Sequence, residues 1–160
     1  MLVRVRYRAG QFFGALRVRL DDRELKEARA LLGERAWALF RSMDPRDQRH
    51  GLDVWRMLRA DASDDRDLQV AALLHDCGKG RQTVWTRVAH VILQSVAPGL
   101  ERRIARPGGA LDRLLRHPEL GADRAAEAGC GPEVVRLIRE QESAAPDDRL
   151  ALLQRADELN

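Results

Sequence analysis

Four residues scattered along the 160-residue chain could do chemistry together: His50, the adjacent pair His75 and Asp76, and Asp157. The pair ends the run "VAALLHDCGK", in which an apolar stretch leads straight into an imidazole and a carboxylate. Burying such a pair costs several kcal/mol unless something compensates it. His50 falls on the core face of its own helical segment, with Val54, Met57 and Leu58 following at i+4, i+7 and i+8. Leu150, Leu153 and Asp157 share one face of the last segment, so Asp157 is expected to point inward too. Imidazoles and carboxylates arriving in the interior from three helices need a common partner, and a divalent metal ion is the economical one. Two neutral nitrogen donors and two anionic oxygens suit Mn, Fe, Co, Ni or Zn, with Mg as a further candidate. Four protein donors leave coordination positions open for water and substrate. An open position lets a metal acidify bound water and polarise a phosphoryl oxygen, so the favoured chemistry is hydrolysis by a metal-activated hydroxide. The bland alternative for the same residues is a buried hydrogen-bonded network without metal.

Charge adds one residue to this set. The net charge is only +3, but of 28 basic residues just Lys26 and Lys79 are lysines. Such an arginine excess is explained by GC-rich coding, and nucleic-acid binding is not read from it. Lys79, three residues after Asp76, is a compact point charge suited to a phosphate oxygen. Its alternative is a solvated lysine that favours the dipole past a helix end. Arg49, beside His50, lies about 100° away around the helix and is a weaker candidate for the substrate phosphate. His90, among Val88, Val91 and Ile92, reads as a core or boundary histidine, and Trp37, Trp55 and Trp85 as core anchors.

The segments "RHGLDVWRMLRA", "DLQVAALLHDCGK" and "LLQRADELN" resemble, in that order, the HD-domain superfamily of metal-dependent phosphohydrolases. Its motif of a histidine, a His-Asp pair and a late aspartate maps onto His50, His75, Asp76 and Asp157. The resemblance covers residues 44–160 and implies an all-helical fold, a central metal, and hydrolysis of a phosphomonoester or phosphodiester, often a nucleotide. Asp76 would orient the attacking water and Lys79 neutralise the phosphoryl oxygens. Nucleotide phosphatases of the superfamily carry a glutamate three residues after the motif aspartate, where this chain has Lys79. The form "HDCGK" is closer to the branch that holds the cyclic-dinucleotide phosphodiesterases, which continues with a histidine in the context that "RHPELG" supplies as His117. That branch also carries a histidine pair, where Glu140 and Gln141 stand here, and a Gly-Tyr-Pro signature that this chain lacks. One metal ion is therefore the simpler expectation. A second, bridged by Asp76 and held by His117 and Glu140, would be the fuller pattern; His117 has substrate contact or a structural role before Pro118 as its alternatives. A catalytically silent metal- and nucleotide-binding regulatory module is the second functional expectation.

The elements that must position these residues read as helices throughout, an all-α, single bundle of about seven to nine helices. Residues 1–43 form an N-terminal helical extension and residues 44–160 one compact domain. An apolar stripe over residues 5–20 suggests a first helix, and Val3, Val5 and Tyr7 are the single short candidate for a strand. "DDRELKEARALL" opens on a capping aspartate, and "GERAWALFRSM" continues after a glycine break. Asp44-Pro45 opens a helix to about Ala60, and Asp65 or Asp67 can cap the one that ends at His75. Further helices follow over 82–96, "GALDRLLRH", "PELGADRAAEAG", "PEVVRLIREQE" and "PDDRLALLQRADELN".

A chain of this length buries a core without staples. Cys77 and Cys130 have no CxxC spacing and are expected as reduced, largely buried thiols. Arg4, Arg6 and Arg8 interrupt the apolar residues before the core of a signal peptide could form, and no apolar run reaches spanning length, so a cytoplasmic location without a transmembrane segment is expected. Five arginines and no acid in the first twenty residues raise contact with a membrane surface or nucleic acid, against the preferred reading of an amphipathic helix with solvated arginines.

Overall fold

The computed structural model describes residues 20–61, 64–80 and 109–160. The stripe over 5–20 apart from its last residue, the strand candidate, the basic N-terminus, the helix expected over 82–96, His90 and Trp85 lie outside the described residues.

Asp21 starts the first described helix, α1 (Asp22–Ser42), its carboxylate accepting from the backbone N–H groups of Arg23 at 2.7 Å and Glu24 at 3.4 Å. The glycine break falls where the sequence puts it. Gly33 has φ 73°, so α1 is two helical arms joined at a residue whose conformation only glycine adopts without strain. Pro45 heads α2 (Pro45–Asp61), where its missing N–H forfeits nothing. Asp65 caps α3 (Arg66–Leu74) through the Leu68 N–H at 3.0 Å, and the same carboxylate pairs with Arg149. After Gly109 come α4 (Ala110–Leu115), α5 (His117–Glu127), α6 (Pro132–Arg139) and α7 (Asp148–Leu159). Gly129, with φ 82°, turns the chain between α5 and α6, and Asp147 caps α7 by accepting from the Leu150 N–H at 2.9 Å. The described residues are all-helical, with no strand among them.

The core is organised around α3, which packs against α1, α2, α6 and α7. Every residue from Leu68 to Leu74 is buried, as expected of a helix whose apolar residues run all the way round. The one polar residue of that buried stretch, Gln69, accepts a hydrogen bond from the buried Trp55 indole N–H at 3.1 Å. Phe40 of α1, Leu52 and Leu58 of α2, Leu137 and Ile138 of α6, and Leu150 and Leu153 of α7 surround it. The described part of the N-terminal extension thus shares one core with the helices that follow. Cys77 and Cys130 are free thiols, the first buried and the second half-buried. Among the described residues no helix is long and apolar enough to cross a membrane.

Candidate metal centre

Because α3 is central, its C-terminal end delivers His75 and Asp76 into the interior, each about 2 % exposed. Two glycines let neighbouring helices reach that end. At Gly51 of α2 a Cβ would lie 2.9 Å from the Leu73 carbonyl oxygen of α3, so the two backbones touch there and His50 is carried next to His75. At Gly78 a Cβ would lie 2.0 Å from the His117 carbonyl oxygen and 2.5 Å from the Gly121 nitrogen. Backbone lies on both sides, so only glycine admits the start of α5 this close to the "HDCG" turn. The freed carbonyls at the end of α3 are answered by side chains: Gln141 donates to His75 O at 2.9 Å, and Arg124 donates to Cys77 O at 2.7 Å. The Cys77 thiol donates to Gly121 O at 3.4 Å, and burial pushes its pKa up to about 12.

Donor atoms converge at this point. His50, His75 and Asp76 each place one within 4.8 Å of the others, a spacing that can hold a metal ion. The His50 and His75 rings meet edge to face, 5.2 Å between centroids. His75 Nδ1 lies 2.9 Å from the Ala72 carbonyl, and since a carbonyl only accepts, Nδ1 carries the proton. In the neutral ring Nε2 is then a bare lone pair. It is buried without a hydrogen-bond partner and lies 3.5 Å from Asp76 Oδ1 and 3.4 Å from Asp157 Oδ1. A lone pair facing two carboxylates is a repulsive arrangement that a proton on Nε2 or a metal cation between them resolves. The backbone carbonyl that fixes the tautomer is the kind of outer partner that orients a ligating histidine. The residues present therefore fit a divalent metal.

The charges tell the same story. Burial opposes protonation of His75, but the Asp76 and Asp157 carboxylates prevail and raise its pKa. Burial likewise opposes ionisation of Asp76, and the His75 and Lys79 charges outweigh it, holding the carboxyl well below its usual range. For Asp157 burial again opposes, and His50 and His75 outweigh it. Two ionised carboxylates stand against one lysine, so the cluster is short of positive charge unless an imidazole takes a proton or a cation enters.

The other sequence-marked residues distribute around this cluster. Asp157 is not fully interior as its helical phase suggests: its side chain is 47 % exposed, because the buried face of α7 runs through Leu150, Leu153 and Ala156 and leaves Asp157 at its edge. Its Oδ1 still turns inward and accepts from His50 Nε2–H at 2.6 Å. His50 itself is half-buried at the rim. Lys79 Nζ donates to Asp76 Oδ2 at 2.6 Å. His117 is the buried first residue of α5, after the N-cap Arg116, with its Nε2 3.8 Å from Asp76 Oδ1. Arg49 lies away from the cluster, its guanidinium on Glu24 at 2.7 Å and Asp53 at 3.0 Å, tying α1 to α2. Glu140 pairs with Arg136 at 3.0 Å. The carboxylate facing His117 is instead Glu142, with Oε1 3.8 Å from His117 Nε2. Gln141, marked in the sequence only as standing with Glu140 where the related branch has a histidine pair, donates to His75 O instead, and Glu142 was not singled out from the sequence, where "EQES" reads as a helix end. Compared with family models, curated proteins and solved structures, the chain matches none.

Proposed function

We propose that the chain is a metal-dependent phosphohydrolase of the HD-domain type, acting on a phosphomonoester or phosphodiester, nucleotides included. The observation that carries this reading is the buried, unpartnered Nε2 of His75, set between two carboxylates and beside a second imidazole. His50, His75, Asp76 and Asp157 would hold one divalent ion. That ion, of the Mn, Fe, Co, Ni, Zn or Mg type, supplies Lewis acidity and a water of lowered pKa. Asp76 keeps Oδ1 turned to the imidazoles while Oδ2 is held by Lys79, so its two oxygens serve different partners. Lys79, a quarter exposed, presents its ammonium at the edge of the cluster, where a phosphoryl oxygen can take it up. A second ion shared by Asp76 and His117 has the 3.8 Å approach of those two residues in its favour. Asp76→Ala is expected to abolish both metal retention and phosphoester turnover. An unchanged metal content in that variant, measured by elemental analysis, refutes the assignment.

A second reading, a metal- and nucleotide-binding module without turnover, draws on the commitment of Lys79 to Asp76. Metal-loaded protein that binds nucleotides and hydrolyses nothing across a broad phosphoester panel would favour it.

A further inference from the structure

Hydrolysis needs a group that orients the attacking water and removes its proton, and one oxygen of each cluster carboxylate is already engaged. Asp157 Oδ1 accepts from His50 at 2.6 Å, and Asp76 Oδ2 accepts from Lys79 at 2.6 Å. Position 79, three residues beyond Asp76, holds the lysine itself. One further carboxylate reaches the site. Glu142 lies on the segment between α6 and α7 and places Oε1 3.8 Å from His117 Nε2, which in turn is 3.8 Å from Asp76 Oδ1. The buried imidazole therefore sits between a cluster carboxylate and one that is 66 % exposed, open to water on its far side.

The backbone around Glu142 is pinned more firmly than a solvated loop requires. The amide of Gln141 donates both to His75 O at 2.9 Å and to Ile138 O at 3.0 Å, anchoring the preceding residue to the end of α3. Gln154 of α7 donates to Gln141 O at 3.0 Å and to Ser143 O at 2.9 Å, clamping the chain on both sides of position 142. The backbone that carries this carboxylate is thus fixed to the same helix end as His75 and Asp76.

We propose that Glu142 is a catalytic residue of this site: its carboxylate orients the attacking water and accepts its proton, with His117 as the positioning residue that holds it toward Asp76. The assignment rests on the phosphohydrolase reading above. The water oxygen forms the new bond to phosphorus. The bond to the leaving oxygen breaks with its electron pair, and that oxygen takes a proton from solvent. One water proton passes to Glu142 and on to solvent, and the other stays on the phosphate product.

The test compares wild type with Glu142→Gln and Glu142→Asp, all loaded with Mn²⁺, on bis(p-nitrophenyl) phosphate and p-nitrophenyl phosphate. Glu142→Gln should lower kcat about a hundredfold, with KM and Mn²⁺ content unchanged, and Glu142→Asp should recover part of the loss. Independently of turnover, the preference of the loaded protein for orthovanadate over phosphate should fall about tenfold in Glu142→Gln, because the carboxylate meets the attacking oxygen only in the five-coordinate geometry. An active wild type with a Glu142→Gln variant within threefold of it overturns the role of Glu142 alone. Loss of Mn²⁺ from that variant overturns it too, by making Glu142 a ligand. A wild type that retains Mn²⁺, binds phosphate and hydrolyses neither these esters nor any nucleotide of a broad phosphoester panel overturns the hydrolase reading and this assignment together.

Discussion

Replacing Gly51 by alanine tests whether the contact between α2 and α3 sets the spacing of the cluster. The new Cβ would lie 2.9 Å from Leu73 O and 3.5 Å from Ala72 O, both backbone atoms in the buried centre of the fold. To restore ordinary contact at 3.4 Å, α2 must retreat from α3 by about half an ångström. Overpacking of this kind costs about 1–3 kcal/mol. The exchange also returns about 1 kcal/mol, since alanine suits a helix interior better than glycine. The net loss of stability should therefore be about 0–2 kcal/mol, small enough for the variant to fold. The effect on the cluster is larger in proportion. Ligand distances are held to about 0.2 Å in a working metal site, and His50 rides on the residue next to the one that moves. Metal affinity should fall about 10- to 100-fold, the range seen when the support of a ligand is disturbed. Urea unfolding of chelator-treated protein gives the first quantity, and calorimetric titration with Mn²⁺ or Zn²⁺ gives the second. A folded Gly51→Ala protein that binds metal within twofold of wild type would refute the claim that this helix contact places His50.

Without metal, stability should peak in a mildly acidic window. The raised pKa of His75 contributes stability that is complete below the ordinary value of 6.5 and is lost as pH rises through the raised folded value. The depressed carboxyls of Asp76 and Asp157 contribute above the ordinary value of 3.8 and lose that contribution as pH falls through their lowered values. Urea midpoints measured in chelator should thus decline on the alkaline side, and His75→Gln should flatten that limb; an unchanged alkaline decline in the variant would assign it to another group. Cys77, with its pKa pushed up to about 12 and its thiol bonded to Gly121 O, should resist a thiol reagent at pH 8 until the protein unfolds, whereas the half-buried Cys130 should react first. Rapid labelling of both thiols in the native protein would contradict the packing of the "HDCG" turn.

The helices were legible because their signals are local. Asp21, Asp65 and Asp147 cap where the sequence places acids before apolar runs, Gly33 and Gly129 break where only a positive φ serves, and the unrelieved apolar run of α3 announces a buried helix. The approach of His50 to His75 and Asp76 was legible too, because a polar residue at a core phase needs a reason to be there. What the sequence could not decide were distances between segments far apart in the chain. Asp157 shares the phase of Leu150 and Leu153, yet Ala156 takes the buried position in the last turn and leaves Asp157 at the edge of that face, and phase alone does not say which of two neighbouring positions the core will cover. Arg49 looked available beside His50 until α1 brought Glu24 across to it. Glu142 and Gln141 belong to the site only through the fold, since their positions depend on α6 and α7 closing around the end of α3. Residue types and helical phase determined which side chains would be buried, and packing between helices, set at Gly51 and Gly78 by atoms those residues lack, decided which of them meet.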